Sequence, residues 1–160
     1  MNGAPASVSL DNAPAGALRL AEWGVIRARG DDAESFLQGQ LTNDVSGLRN
    51  AGHAVLAGYC SAKGRLLATF VVWRDDAGDF LLACSADLLA PTLKRLSMYV
   101  LRAKCKLNDA TAEVPLLGLA GAAAASAFGV NWPQRAWGSA ALPGGGRLIR
   151  LPDSQVGASA

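Results

Sequence analysis

Between residues 53 and 85 three runs rich in apolar and β-prone residues, HAVLAGYC, RLLATFVVW and FLLACS, follow one another across joints too short for anything but a reversal of direction. The joints are SAKG and RDDAGD, and their Gly and Asp content is turn chemistry. Strands joined this way pair antiparallel, because a parallel pair needs a crossover of about a dozen residues. A sheet of this kind must bury one face, and the next segment, ADLLAPTLKRLSMYVLRAK, supplies the cover. Leu89, Leu93, Leu96 and Val100 recur there at helical spacing, with Pro91 close enough to the start to be tolerated in or near the first turn. The expected fold is α+β, with an antiparallel meander over about 53–85 packed on a helix over about 87–103.

Upstream, LRLAEWGVIRAR (18–29) is short and partly alternating, which predicts a strand or hairpin ended by Gly30. DDAESFLQGQL then predicts a short helix capped by Asp31 with Glu34 three residues on, carrying Leu37 and Leu41 on one face and fraying at Gly39. Downstream, VPLLGLAG, AAAASAFG and GGRLIRLP read as strand, helix and strand. The first two repeat the element order of VIRARG and DDAESFLQG. That echo predicts a duplicated unit. The expected organisation is a disordered tail over 1–16, a first α+β unit over 17–108, and the beginning of a second, truncated unit over 109–160.

Composition narrows the function classes. With 160 residues and 51% hydrophobic content the chain can bury a substantial core, and a net charge of +2 does not mark a dedicated nucleic-acid binder. Cys60, Cys84 and Cys105 are odd in number and form no CxxC pair, and His53 is the single histidine, so neither a disulfide framework nor a self-contained zinc site is expected. A reducing compartment follows. The first residues lack the pattern of a secretory signal and no later run reaches spanning length, so the expected location is cytoplasmic, with no membrane partner.

Lys63, Gly64 and Arg65 are the sharpest local signal. Glycine opens a backbone conformation closed to other residues, and the flanking cations can hold a carboxylate or phosphate, Arg65 by a two-pronged hydrogen bond. A solvated hairpin turn explains the same three residues. Trp23 beside Gly24 can leave a ring face open for a flat heterocycle, or can simply pack. Asn43 and Asp44 in QLTNDV can hydrogen-bond an amino-heterocycle or cap the next turn. Lys94, Arg95, Arg102, Lys104 and Lys106, with no acidic residue between Pro91 and Leu107, form a basic stripe that suits RNA, a polyanionic tail or plain solvation. No nucleophile motif accompanies His53, and Cys60 before the basic turn reads as a strand-end cysteine or a stabilised thiolate.

Taken in order, EWGVIRARGDDAESFLQGQLTNDV, GYCSAKGRLLATFVVW and KRLSMYVLRAKCKL strongly resemble the first half of the folate-binding YgfZ family, relatives of the glycine-cleavage T-protein (aminomethyltransferase), from about Leu18 to about Pro152. The resemblance implies a tetrahydrofolate-dependent factor that supports iron-sulfur enzymes and tRNA modification. It implies iron-sulfur enzymes or assembly proteins as partners and only an indirect link to tRNA. The implied fold is a duplicated α+β folate-binding unit followed by a small β-barrel, of which the second unit and the barrel are missing here. It places the family's folate-contacting tryptophan at Trp23, its FLQGQLTNDV block on Phe36 to Val45, including Asn43 and Asp44, and its basic hairpin on Lys63, Gly64 and Arg65, bordering a groove for an anionic pterin-glutamate. Two departures bear on activity. Catalytic T-proteins carry an aspartate where this chain has Ala68 and Thr69, and the family's KGCYxGQE stretch does not occur in these 160 residues. The expectation is therefore a folate-binding factor without turnover of its own, the alternatives being an aminomethyltransferase or a basic RNA- or protein-interaction module.

Overall fold

The computed structural model of the chain describes residues 17–50, 52–119, 131–143 and 145–153, with the side chains of 49 and 50 left aside. In chain order its elements are β1 (Ala17–Arg19), β2 (Trp23–Arg29), α1 (Ala33–Gln40), a 3-10 turn (Ser46–Asn50), β3 (Val55–Cys60), β4 (Leu66–Arg74), β5 (Phe80–Ser85), α2 (Ala86–Val100), β6 (Lys106–Asp109), β7 (Leu117–Leu119), β8 (Ser139–Ala141) and β9 (Arg147–Ile149). The tail expected over 1–16 and the helix expected over AAAASAFG lie outside the described residues.

The meander is antiparallel, as its joints demand. Val55 stands opposite Val72, and Arg74 opposite Phe80. β2 joins the far side of β5, with Trp23 opposite Ser85 and Ala28 opposite Phe80, and β6 closes the sheet on the other side of β2. The order is β3-β4-β5-β2-β6, antiparallel throughout. Two small antiparallel pairs stand apart, β1 with β7 and β8 with β9.

Alternation along the strands gives this sheet two different faces. Ile26, Ala28, Phe70, Val72, Phe80, Leu82 and Cys84 join Phe36 and Leu37 of α1 and Leu89 and Leu96 of α2 in the main core. Each large apolar side chain buried there contributes about 1.5–3 kcal/mol. On the opposite face Val25, Trp73, Leu81 and Ala83 form a second cluster with Ala110, against which Trp23, Val114, Leu116, Trp137 and Ile149 pack. The β8–β9 pair is tied to the start of β3 by Ala54 N–H donating to Trp137 O at 2.7 Å and Ser139 N–H to Gly52 O at 3.0 Å.

The helix ends differ from expectation for identifiable reasons. α1 is capped at Asp32, not Asp31, and no side chain makes the cap bond. The Asp32 carboxylate instead accepts the Lys104 backbone N–H at 2.7 Å, while Asp32 N–H donates to Lys104 O at 3.2 Å. Gly39 sits inside the helix, which continues to Gln40. α2 stops at Val100, short of 103, because Ala103 N–H donates to Val100 O at 2.8 Å and closes a turn with Leu101 at φ 44°. Pro91 is the sixth residue of that helix, past its first turn.

Candidate functional site

β2 and β4 begin, and β3 and β5 end, at one end of the sheet. There a single row crosses four strands on the face turned away from the helices. Gly58 stands opposite Thr69, Trp23 opposite Ser85, and carrying the Val71–Ala83 register on by two residues sets Thr69 beside Ser85. At the usual spacing of adjacent strands the row from Gly58 to Trp23 runs about 14 Å. Its members Gly58, Thr69 and Ser85 are small, Thr69 and Ser85 are exposed, and Trp23 is half-buried against the second cluster. Leu56 and Leu66, 48% and 57% exposed, stand apolar beside the row, and Leu66 lies over Gly58. The Gly58 end is covered by Leu66 and Thr42, so the open part of this shallow strip runs over Thr69 and Ser85 to the indole.

The segment after α1 forms the rim of this strip by pairing with the edge strand β3. Thr42 N–H donates to Gly58 O at 2.9 Å, and Gly58 N–H donates to Thr42 Oγ1 at 2.7 Å. Asn43 donates from Nδ2 to Leu56 O at 2.9 Å and accepts Asp44 N–H at its Oδ1 at 2.8 Å. Asp44 caps the 3-10 turn, its Oδ1 accepting both the N–H and the hydroxyl of Ser46 at 2.8 and 2.5 Å. Those bonds, the Ser46 hydroxyl first, hold its carboxyl below the ordinary aspartate value. Asn43 thus ties the loop to β3, and Asp44 caps its 3-10 turn through one of its two oxygens.

The β3–β4 turn projects beyond the same end of the sheet. Ser61 N–H donates to Arg65 O and Gly64 N–H to Ser61 O, and Gly64 takes φ +76° in open space. Lys63 and Arg65 are exposed, and among the described residues no ion pair engages either. The hairpin and Trp23 therefore share one end of the sheet, while Asn43 and Asp44 lie outside its edge strand β3, three strands from the one that bears Trp23. The residues that the sequence reading did not gather are Leu56, Gly58, Leu66 and Ser85. Alternation within each strand is legible in the sequence, but only the strand register puts Ser85 and Gly58 on the face of Trp23.

At the other end of the sheet a cleft of about 210 Å³ is lined by Gly30, Asp31, Glu34, Ser35, Arg74 and Phe80. Arg74 fills most of its chemistry, pairing with Glu34 at 3.5 Å, donating to Gly78 O and lying 4.7 Å from the Phe80 ring centre. Among the described residues no group of three or more His, Cys, Asp or Glu side chains is placed to hold a metal ion, and no helix is long and apolar enough to cross a membrane.

No family model matches the chain. It is 35% identical over 128 residues to the tRNA-modifying protein YgfZ of Edwardsiella ictaluri, covering 79% of this chain and 38% of that protein. With the protein of the same description from Klebsiella pneumoniae it shares 36% over 113 residues, 69% of this chain and 33% of that one. The chain belongs to the YgfZ family. It spans about a third of the length of these YgfZ relatives. An iron-sulfur cluster assembly factor IBA57 homologue, described as mitochondrial, from Neurospora crassa is 33% identical over 100 residues, 59% of this chain and 23% of that protein. Among solved structures, the glycine cleavage system aminomethyltransferase T of Bartonella henselae superposes with a TM-score of 0.65 at 20% identity, covering 78% of this chain and 35% of that one. The last likeness is one of fold, and it places the YgfZ-family chain in the α+β architecture expected from its meander and helix.

Proposed function

We propose that this chain carries a tetrahydrofolate-binding face of a YgfZ-family factor that supports iron-sulfur enzymes and tRNA modification. The observation that carries the reading is the row Gly58, Thr69, Ser85 and Trp23, a shallow strip, open over Thr69 and Ser85, on one end of a sheet whose other face is fully occupied by helices. A flat bicyclic ring suits such a floor, and an indole at its side can stack on it. Lys63 and Arg65 project at the same end and suit the carboxylates of a glutamate tail, each through charge-assisted hydrogen bonds. Gly64 gives their hairpin its shape, and Asn43 and Asp44 hold the rim loop in place. Tetrahydrofolate, when bound, supplies a carrier for one-carbon units.

The names of the relatives support the cellular role: tRNA modification for the bacterial proteins and iron-sulfur cluster assembly for the fungal one. The partners proposed are accordingly iron-sulfur enzymes or their assembly proteins. Turnover of the aminomethyltransferase kind is disfavoured by the face itself. Ala68 is buried on the helix side, and Thr69, which looks onto the strip, offers a hydroxyl where a carboxylate would be required.

Titration with tetrahydrofolate tests this reading. Binding is expected to quench tryptophan fluorescence, and Trp23→Ala is expected to weaken it by about 1 kcal/mol or more, while Trp23→Phe, which keeps an aromatic face, loses less. Lys63→Ala and Arg65→Ala are expected to weaken polyglutamylated folate more than the monoglutamate. Equal affinity of wild type and Trp23→Ala for the same folate would return Trp23 to ordinary packing and end the proposal.

A further inference from the structure

Opposite its packed side the helix α2 shows one large apolar side chain, Met98, to water, and the turn that ends the helix adds Leu101. Leu89 and Leu96 are buried in the main core, with Leu88, Leu93 and Val100 packed beside them. By helical periodicity Lys94 and Met98 lie on the opposite side, one turn apart, and Leu101 follows three residues after Met98. Met98 is 59% exposed and Leu101 86%. Apolar side chains on the solvent side of a surface helix are individually ordinary. Leu101 is not ordinary. It occupies the second position of the Val100–Ala103 turn at φ 44° and ψ −105°, a conformation that favours glycine, and it spends that strain on showing its side chain to water.

The nearest charges in sequence to this apolar pair are basic, and acidic side chains, Asp31 and Asp32, approach them only at Lys104. Lys94 and Arg102 are exposed, and among the described residues neither has an ion pair. Lys104 reaches only Asp31, at 3.9 Å between two exposed side chains. No acidic residue occurs between Pro91 and Leu107. A phosphate backbone would need the cations and not the leucine or the methionine. A protein segment that alternates carboxylates with apolar side chains uses both.

We infer that the carboxy-terminal end of α2, with Lys94, Met98, Leu101 and Arg102, is a docking surface for an acidic amphipathic segment of a partner protein. Met98 and Leu101 lose exposed surface to the partner's apolar side chains, and Lys94 and Arg102 face its carboxylates. The surface lies on the outer side of α2, with the sheet between it and the Trp23 strip, so a partner held there leaves the folate face free.

Fluorescence anisotropy with three labelled probes against the full chain tests the inference: a helical peptide built of alternating Glu and Leu pairs, polyglutamate of equal length, and a single-stranded RNA. The Glu-Leu peptide is expected to bind tightest. Leu101→Gly is expected to lose about tenfold of that affinity, the scale of one buried leucine side chain, while its melting temperature is unchanged or raised because the turn receives the residue it favours. Met98→Ser, an exposed change with no backbone consequence, is expected to lose affinity in the same direction, and Lys94→Gln with Arg102→Gln to flatten the dependence on salt. Three results overturn the inference: no binding of the Glu-Leu peptide, polyglutamate or RNA binding as tightly as that peptide, or full affinity in both Leu101→Gly and Met98→Ser.

Discussion

At Gly30 the chain leaves β2 for α1 with φ +126°, and a Cβ placed there would lie 2.1 Å from the carbonyl oxygen of Lys104. At Gly64 the backbone is similarly left-handed, φ +76°, yet nothing stands within 4 Å of a Cβ. Gly64→Ala should therefore cost backbone strain alone, about 1 kcal/mol, whereas Gly30→Ala must also push back a backbone that bonds Asp32 and should cost on the order of 3 kcal/mol. Urea unfolding of the two variants checks the difference, and equal losses would contradict it. In the sequence Gly30 reads as the end of a β-prone run and Gly64 as turn chemistry, and neither reading shows which of them is crowded. What separates them is Lys104, brought in by the tertiary fold. Asp44 shows the same limit: its neighbours allow either a cap or a ligand contact, and only the position of Ser46 hydroxyl and N–H decides that its Oδ1 caps.

β5 is the most enclosed element of the sheet, with every residue from Phe80 to Cys84 buried and only Ser85 open. Burial, with the nearby charges of Asp87 and Asp109, pushes the Cys84 thiol up to about 11. An acid whose folded value lies above its unfolded one keeps its full contribution to stability below the unfolded value, near 9 here. Above that pH the unfolded chain ionises first, and the contribution is lost as pH rises toward 11. The stability of the wild type should accordingly fall more steeply across that window than that of Cys84→Ala, as read from urea midpoints at a series of pH values. Parallel pH profiles would show that Cys84 is not the group responsible. Elements such as β5 were legible because an unbroken apolar run between turns admits few alternatives. The place of β2 was not, since LRLAEWGVIRAR carries nothing that names β5 and β6 as its neighbours; that pairing is settled by which edges the completed meander leaves open.

For the molecule as a whole, the class of fold could be read from short joints and one amphipathic helix, and the family from three blocks in order. The candidate face was readable only in part. Trp23 and the Lys63–Arg65 hairpin stood out by residue type and Thr69 by the carboxylate it does not supply, but Gly58 and Ser85 are unremarkable in sequence and acquire meaning only as a row across four strands. The same strand order carries a consequence for synthesis. β2 is made before every other strand of the five-stranded sheet, yet it is held between β5 and β6, so a growing chain on the ribosome can close the β3–β4–β5 meander and seat β2 on β5 while the other edge of that earliest strand still waits for β6. Ribosome-bound chains arrested with Ser85 exposed but β6 still unmade should protect the meander from brief proteolysis and leave cleavage near Arg27 and Arg29, and chains long enough to expose Asp109 should lose that cleavage. The vulnerable interval of this protein's biogenesis is then set by the time taken to translate α2, during which the strand bearing Trp23 has an open edge that chaperones, or another nascent chain, can reach.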